Sequence, residues 1–182
     1  NTHSAQFEDD DSIGTWFKGD SGAWRVEDGR LYISGSTEFL MLVGPSTQFA
    51  GDIDVSVTTE WIEGIDNNSY GIRIRQSAAG SYGFGIAASG SYILSEGEEG
   101  ASAPVQLRDW RISNLINAEG SNTLRIVAQG SQLSLYMNGT LLDQLSDNSH
   151  TSGWISLYVS GLQEVAFDNL TVIEIGGEPL LK

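Results

Sequence analysis

Two arginines close together on one predicted strand are the residues of this sequence best suited to bind a ligand. Arg73 and Arg75 lie two positions apart in the run 70–75, and the residues that alternate with them are bulky and apolar. Side chains two apart on a strand point to the same face, so we expect both guanidinium groups on one surface. They could bind carboxylates or sugar hydroxyls. The alternative is a pair of ordinary cross-strand ion pairs, for instance with Glu60.

The following strand would leave open space beside these arginines. In the segment 82–87, large apolar residues occupy one face, and the other carries only Gly83, Gly85 and Ala87. If the two strands pair with these faces together, the arginines flank a shallow floor that could hold a sugar. Trp110 stands among charged residues in an irregular segment, and we expect it to be an exposed aromatic platform. The predicted carbohydrate-binding residues are Glu60, Arg73, Arg75 and Trp110.

The elements that position these residues are predicted to be β-strands joined by tight turns. Asp28-Gly29 and Asn138-Gly139 each separate two short alternating runs, which is the pattern of a two-residue hairpin turn. Trp24 and Trp154 each begin an alternating run, and we expect both in the core. Runs at a spacing of about 8–12 residues favour about 12–14 strands in two packed sheets, an all-β antiparallel jelly-roll sandwich.

Length and composition set further limits. The chain has 182 residues, no cysteine and a formal net charge of -15. We expect a single domain over 1–175 and a C-terminal tail or linker over 176–182. The acidic balance argues against nucleic acid as a partner, and no apolar run approaches the roughly 20 residues needed for membrane insertion. Because the sequence opens without methionine, we expect a secreted, periplasmic or cell-surface protein whose export signal has been removed.

Four sequence strings occur in the order found in a known superfamily. They are WRVEDGRL at 24–31, YGFGI with GSY at 82–92, NTLRI with LSLYMNG at 122–139, and FDNLTV at 167–172. On these strings the chain resembles concanavalin A-like lectin and glucanase domains, and in particular their laminin-G-like and 3-keto-disaccharide-hydrolase-like members. The resemblance extends from Phe7 to Ile173 and implies a concanavalin A-like sandwich.

The same resemblance implies a structural calcium site. Related sandwiches often hold Ca²⁺ on the convex side, between an aspartate of the last strand, the N-terminal segment and an early turn. Ca²⁺ binds about six to eight oxygen atoms, including backbone carbonyls, so a few carboxylates suffice. The residues that match this pattern are Asp168, Glu8, Asp9 and Asp28. The alternative is a solvated acidic run at 8–11 and an aspartate that shapes the end of a strand.

Catalytic residues are less evident. The E-x-D-x-x-E string of the superfamily's glucanases is absent. Glu60 and Glu63 are three apart and would face opposite sides of a strand, whereas glycoside hydrolysis needs two carboxylates at one site. His150 lies in a polar turn and is predicted to be a surface histidine. We therefore expect a non-catalytic carbohydrate-binding module; the alternatives are a glycoside or 3-keto-glycoside hydrolase, suggested by resemblance alone, and a structural or adhesion spacer.

Overall fold

The fold is an all-β sandwich, as the turn pattern predicts. The computed structural model describes residues 1–18, 23–36, 41–49, 51–97 and 104–176. These residues form fifteen strands and one 3₁₀ turn, Asp10–Ile13, and contain no α-helix. Within these ranges no helical segment has the length and hydrophobicity needed to cross a bilayer. The predicted tail over 176–182 lies outside the described residues except for Gly176.

The first sheet has eight strands. In the order β13-β12-β11-β6-β15-β4-β3, with β1 also paired to β15, every described pair is antiparallel. Its strands are β1 (Thr2–Ala5), β3 (Trp24–Glu27), β4 (Arg30–Ser34), β6 (Ile53–Gly64), β11 (Ser121–Gln129), β12 (Gln132–Met137), β13 (Thr140–Ser146) and β15 (Gln163–Glu174).

The second sheet has seven strands in the order β10-β9-β8-β7-β14-β5-β2, again antiparallel. Its strands are β2 (Trp16–Phe17), β5 (Met41–Pro45), β7 (Tyr70–Ser77), β8 (Gly80–Ala87), β9 (Ser91–Gly97), β10 (Val105–Ile112) and β14 (Trp154–Val159). Strand β10 includes Trp110, so this tryptophan lies on a strand rather than in an irregular segment.

Both predicted hairpin turns form with the backbone that their residues favour. Asp28 and Gly29 have φ values of 50° and 76°, and Asn138 and Gly139 have values of 51° and 83°. Two successive positive φ angles match the right-handed twist of the strands that such turns connect. The turns fix the registers of β3 with β4 and of β12 with β13.

The core lies between the two sheets and follows the alternation of the strands. From the seven-stranded sheet, Ile72 and Phe84 are fully buried, and from the eight-stranded sheet Val55 and Val57 are as well. The residues between them in sequence face away from the core. The outward residues of the seven-stranded sheet are therefore the ones that can form a ligand-binding surface.

Candidate binding face

The strand registers assemble one continuous outer surface, which we call the Arg73 face. It consists of the outward residues of β7, β8, β9 and β14. Arg73 is paired with Ser156 on one side and with Gly83 on the other, and Gly83 is paired in turn with Ser95. Residues paired across neighbouring strands share a face, so these four side chains form one row.

A second row of the same face explains Gly85. Tyr158 is paired with Gly71, which is paired with Gly85. A methyl group added at Gly85 would overlap the Tyr158 hydroxyl. The tyrosine hydroxyl therefore lies over Gly85, and Tyr158 is only 4% exposed. Burial raises the pKa of Tyr158, so the hydroxyl stays protonated at neutral pH.

Arg73 lies along the sheet in a similar way. Its Nε is 3.7 Å from the position that a Cβ of Gly83 would occupy, and its Nη2 is 3.4 Å from the corresponding position at Gly97. The guanidinium group thus extends over β8 towards β9 and is partly buried. The glycine floor predicted from the sequence is present, but Arg73 and Tyr158 lie on it.

The electrostatic setting of Arg73 differs from that of a surface ion pair. Among the described residues, no carboxylate or carbonyl forms an ion pair or a hydrogen bond with its guanidinium group. Burial lowers the pKa of Arg73, and the nearby Tyr158 acts in the opposite direction. The four strands of the Arg73 face contain one carboxylate, Glu96, and its Oε1 lies 3.1 Å from Nε2 of His150. That histidine is 5% exposed, so the prediction of a surface histidine is wrong.

Polar and aromatic groups border the arginine. The hydroxyl of Ser156 donates to Gln76 Oε1 at 2.9 Å. Trp154 is paired with Gln76 and lies two residues before Ser156, which places it on the Arg73 face. It is partly exposed, and the prediction that it belongs to the core is wrong. The signal was available, because Ile155, in the next position, begins the buried alternation of β14.

Arg75 does not share this face. The β14 register skips between Arg73 and Gln76, and Arg75 has a left-handed φ of 51°. This bulge interrupts the alternation and turns the side chain towards the end of the eight-stranded sheet, where it is 1% exposed. Its guanidinium donates to the carbonyls of Gly51 (2.8 Å), Gly130 (2.9 Å) and His150 (3.1 Å). The prediction that the two arginines lie on one surface is therefore wrong.

The other two predicted sugar-binding residues have different outcomes. Glu60 lies on β6 of the opposite sheet, and its carboxylate accepts a hydrogen bond from Arg30 Nη1 at 2.5 Å. Its placement beside Arg73 is wrong, because residues distant in sequence were assigned to one sheet without knowledge of strand order. Trp110 lies on β10, an edge strand of the sheet that carries Arg73, and is 39% exposed.

The predicted calcium ligands fall into two places. Glu8, Asp9 and Asp28 border one shallow depression on the surface. Asp168 borders another, beside Arg30 on the eight-stranded sheet. Within the described ranges, no group of three or more carboxylate, histidine or cysteine side chains is arranged to hold a metal ion. The structure thus does not gather the four residues into one site, and calcium binding stays a prediction.

The sequence match to a family agrees with this architecture. The family described as the 3-keto-alpha-glucoside-1,2-lyase-like domain matches residues 5–173, which is nearly the whole chain. The chain belongs to this family. The resemblance to 3-keto-disaccharide-hydrolase-like sandwiches is confirmed, and the matched residues include the whole Arg73 face and nearly all of both sheets. No curated sequence matches the chain.

Solved structures similar to this lyase-like domain share its fold at low sequence identity. The carbohydrate-binding module CBM66 from Bacillus subtilis has a TM-score of 0.73 and 16% identity, covering 87% of this chain and 94% of that chain. A protein of unknown function with a galectin-like fold, also from Bacillus subtilis, has a TM-score of 0.76 and 10% identity, covering 94% of each chain. The GH43 protein BlXynB from Bacillus licheniformis has a TM-score of 0.69 and 13% identity, covering 94% of this chain and 39% of that chain. The jelly-roll fold class is confirmed by these similarities.

Proposed function

We propose that this domain binds carbohydrate, without turnover, on the Arg73 face. The observation that carries the proposal is a partly buried guanidinium group that lies along a sheet surface with no partner among the described residues. A structural arginine is normally held by acceptors, as Arg75 is. The similarity to a structure described as a carbohydrate-binding module gives independent support.

The chemistry of the face fits a sugar. Arg73 supplies several N–H donors in one plane, which can bind two neighbouring oxygen atoms together. Trp154 supplies an apolar ring surface for sugar C–H groups. Trp110 on the edge strand would extend the face for a longer ligand. Such an open surface suggests dissociation constants in the micromolar to millimolar range, about −4 to −8 kcal/mol.

The distribution of acids favours binding over catalysis. The canonical glycosidase site needs two carboxylates about 5–9.5 Å apart. The four strands of the Arg73 face supply only Glu96, which contacts His150. Tyr158, protonated at neutral pH, is a poor base. A lyase acting on 3-keto-glucosides is the second candidate, and the family description is the observation that favours it.

The first experiment separates these functions. We expect the purified domain to bind a subset of glycans on an array and to leave a panel of glycosides and 3-keto-α-glucosides intact. Arg73→Gln should abolish binding. Arg125→Gln is the matched control, because that arginine lies on the other sheet and pairs with Asp54. Turnover of a 3-keto-α-glucoside would favour the lyase, and no binding or turnover would leave the spacer function.

Carbohydrate binding is useful where polysaccharides occur, so we place the parent protein outside the cytoplasm. Fractionation of cells that produce the full-length protein tests this location. Recovery with the soluble cytoplasmic fraction alone would contradict it.

A further inference from the structure

We infer that the sugar recognised by Arg73 carries a carboxylate group. This inference rests on the proposed function and adds the chemical class of the ligand. It comes from a comparison of all the arginines in the chain, every one of which lies in the described ranges.

Arg73 is the exception among the seven arginines when their carboxylate partners within the described ranges are compared. The other six each have a carboxylate oxygen within 3.6 Å. They are Arg25, Arg30, Arg75, Arg108, Arg111 and Arg125. The chain has 24 acidic residues for 9 basic ones, so acidic partners are abundant. An arginine with no carboxylate partner among the described residues is best explained by a partner that arrives with the ligand.

The geometry of Arg73 favours a planar anion. A guanidinium group binds a carboxylate through two parallel N–H···O bonds, which are stronger than bonds to neutral hydroxyls. Because Gly83 and Gly97 have no side chains, a ligand that reaches the guanidinium group meets no Cβ at these two positions. A neutral sugar could use the same donors. It would leave the charge of a partly buried group unbalanced, which is unfavourable in a low-dielectric setting.

The net charge of -15 does not exclude an anionic ligand. At physiological ionic strength the Debye length is about 8 Å, so carboxylates at the far side of the sandwich are largely screened. Near Arg73 the strands offer only Glu96, which faces His150.

The test uses the intact domain and paired ligands. A glycan array should present uronate-bearing and sialate-bearing glycans beside neutral counterparts, so that two sources of the carboxylate are separated. We expect the bound glycans to carry a carboxylate. For the best ligand, calorimetry should show at least a tenfold weaker affinity for its methyl ester, and binding should weaken as salt increases.

Variants link the preference to one residue. Arg73→Gln should abolish binding of the charged ligand, Arg73→Lys should retain part of the preference for it over the methyl ester, and Arg125→Gln should change neither. Two outcomes would overturn the carboxylate inference and leave the proposed function intact. One is a similar affinity for the acid and its ester; the other is binding that is confined to neutral glycans and is lost in Arg73→Gln. If no glycan binds, both fail. Equal urea midpoints of Arg73→Gln and wild type would show that the variant is folded.

Discussion

Replacement of Arg75 by alanine should destabilise the fold strongly, whereas replacement of the nearby Arg73 should change the free energy of unfolding little. Arg75 is 1% exposed and holds three backbone carbonyls at the end of the sandwich. These carbonyls belong to Gly51, Gly130 and His150, so one side chain connects the seven-stranded sheet to segments that flank the other sheet. Alanine would leave them without their donor.

The size of the effect follows from these contacts. A hydrogen bond to a charged group contributes about 1.5–3 kcal/mol, so three of them set an upper range of about 4.5–9 kcal/mol. Asp52, the carboxylate nearest to Arg75, is 46% exposed, so water can reach part of this end. We therefore expect a loss of about 3–5 kcal/mol, as for removal of one partner from a buried charged network. That corresponds to a decrease in Tm of about 6–20 °C for a domain of this size.

Urea denaturation of Arg75→Ala, Arg75→Gly and Arg73→Ala gives the measurement. Because Arg75 has a left-handed φ of 51°, the glycine variant should be about 1 kcal/mol more stable than the alanine variant. Arg73→Ala should stay within about 1 kcal/mol of wild type. A free energy of unfolding for Arg75→Ala within about 1 kcal/mol of wild type would refute the assignment of Arg75 as a structural residue.

Three further predictions concern other parts of the fold. Gly85→Ala should lower the free energy of unfolding by about 1–3 kcal/mol, because the new methyl group would displace the Tyr158 hydroxyl; in urea titrations Tyr158→Phe should recover part of the loss in the double variant, and additive losses would contradict the clash. If calcium binds the folded state alone, saturating Ca²⁺ at about 100 times its Kd should raise stability by about 2.7 kcal/mol and EDTA should reverse this; an unchanged melting temperature in wild type and Asp28→Asn would exclude the site. Because a hydrogen bond from Arg25 holds the pKa of Glu164 below its ordinary value of 4.5, the stability from this pair is complete above pH 4.5 and is lost at lower pH; the urea midpoint of Glu164→Gln should therefore fall less steeply in acid than that of wild type, and equal slopes would contradict this.

The strands could be predicted because their signals are local. The alternation in 70–74 and 82–87 requires one buried face, and Asn138-Gly139 requires a tight turn wherever the strands lie in the sandwich. These features depend on neighbours in sequence, so the fold class followed from them. Strand order depends on contacts between distant segments, and this is why Glu60 was assigned to the wrong sheet.

The binding residues were predicted less well because a bulge changes the rule on which the prediction depends. Alternation places Arg73 and Arg75 together only if every residue between them is extended. The left-handed backbone of Arg75 interrupts the extended strand and points its side chain away from the Arg73 face. The sequence gives no sign of this, because arginine is not a residue type that favours a positive φ. Trp154 was wrongly assigned to the core for another reason, since its size suggested burial while its position in the alternation indicated the outer face.

The glycines of the Arg73 face have different explanations, since some are required by packing and one is not. Gly71 and Gly85 are explained by stability, because a Cβ would overlap the Phe84 carbonyl oxygen at Gly71 and the Tyr158 hydroxyl at Gly85. Gly97 has no such explanation: among the described residues, a Cβ there would meet the Arg73 guanidinium at 3.4 Å and the Pro104 side chain at 3.8 Å, both ordinary contacts. The described part of the fold could accept a side chain at Gly97, yet this glycine lies beside the arginine that has no carboxylate partner among the described residues. A glycine next to a guanidinium group that has no carboxylate partner among the described residues is what a site for an anionic sugar requires, and packing among these residues requires neither.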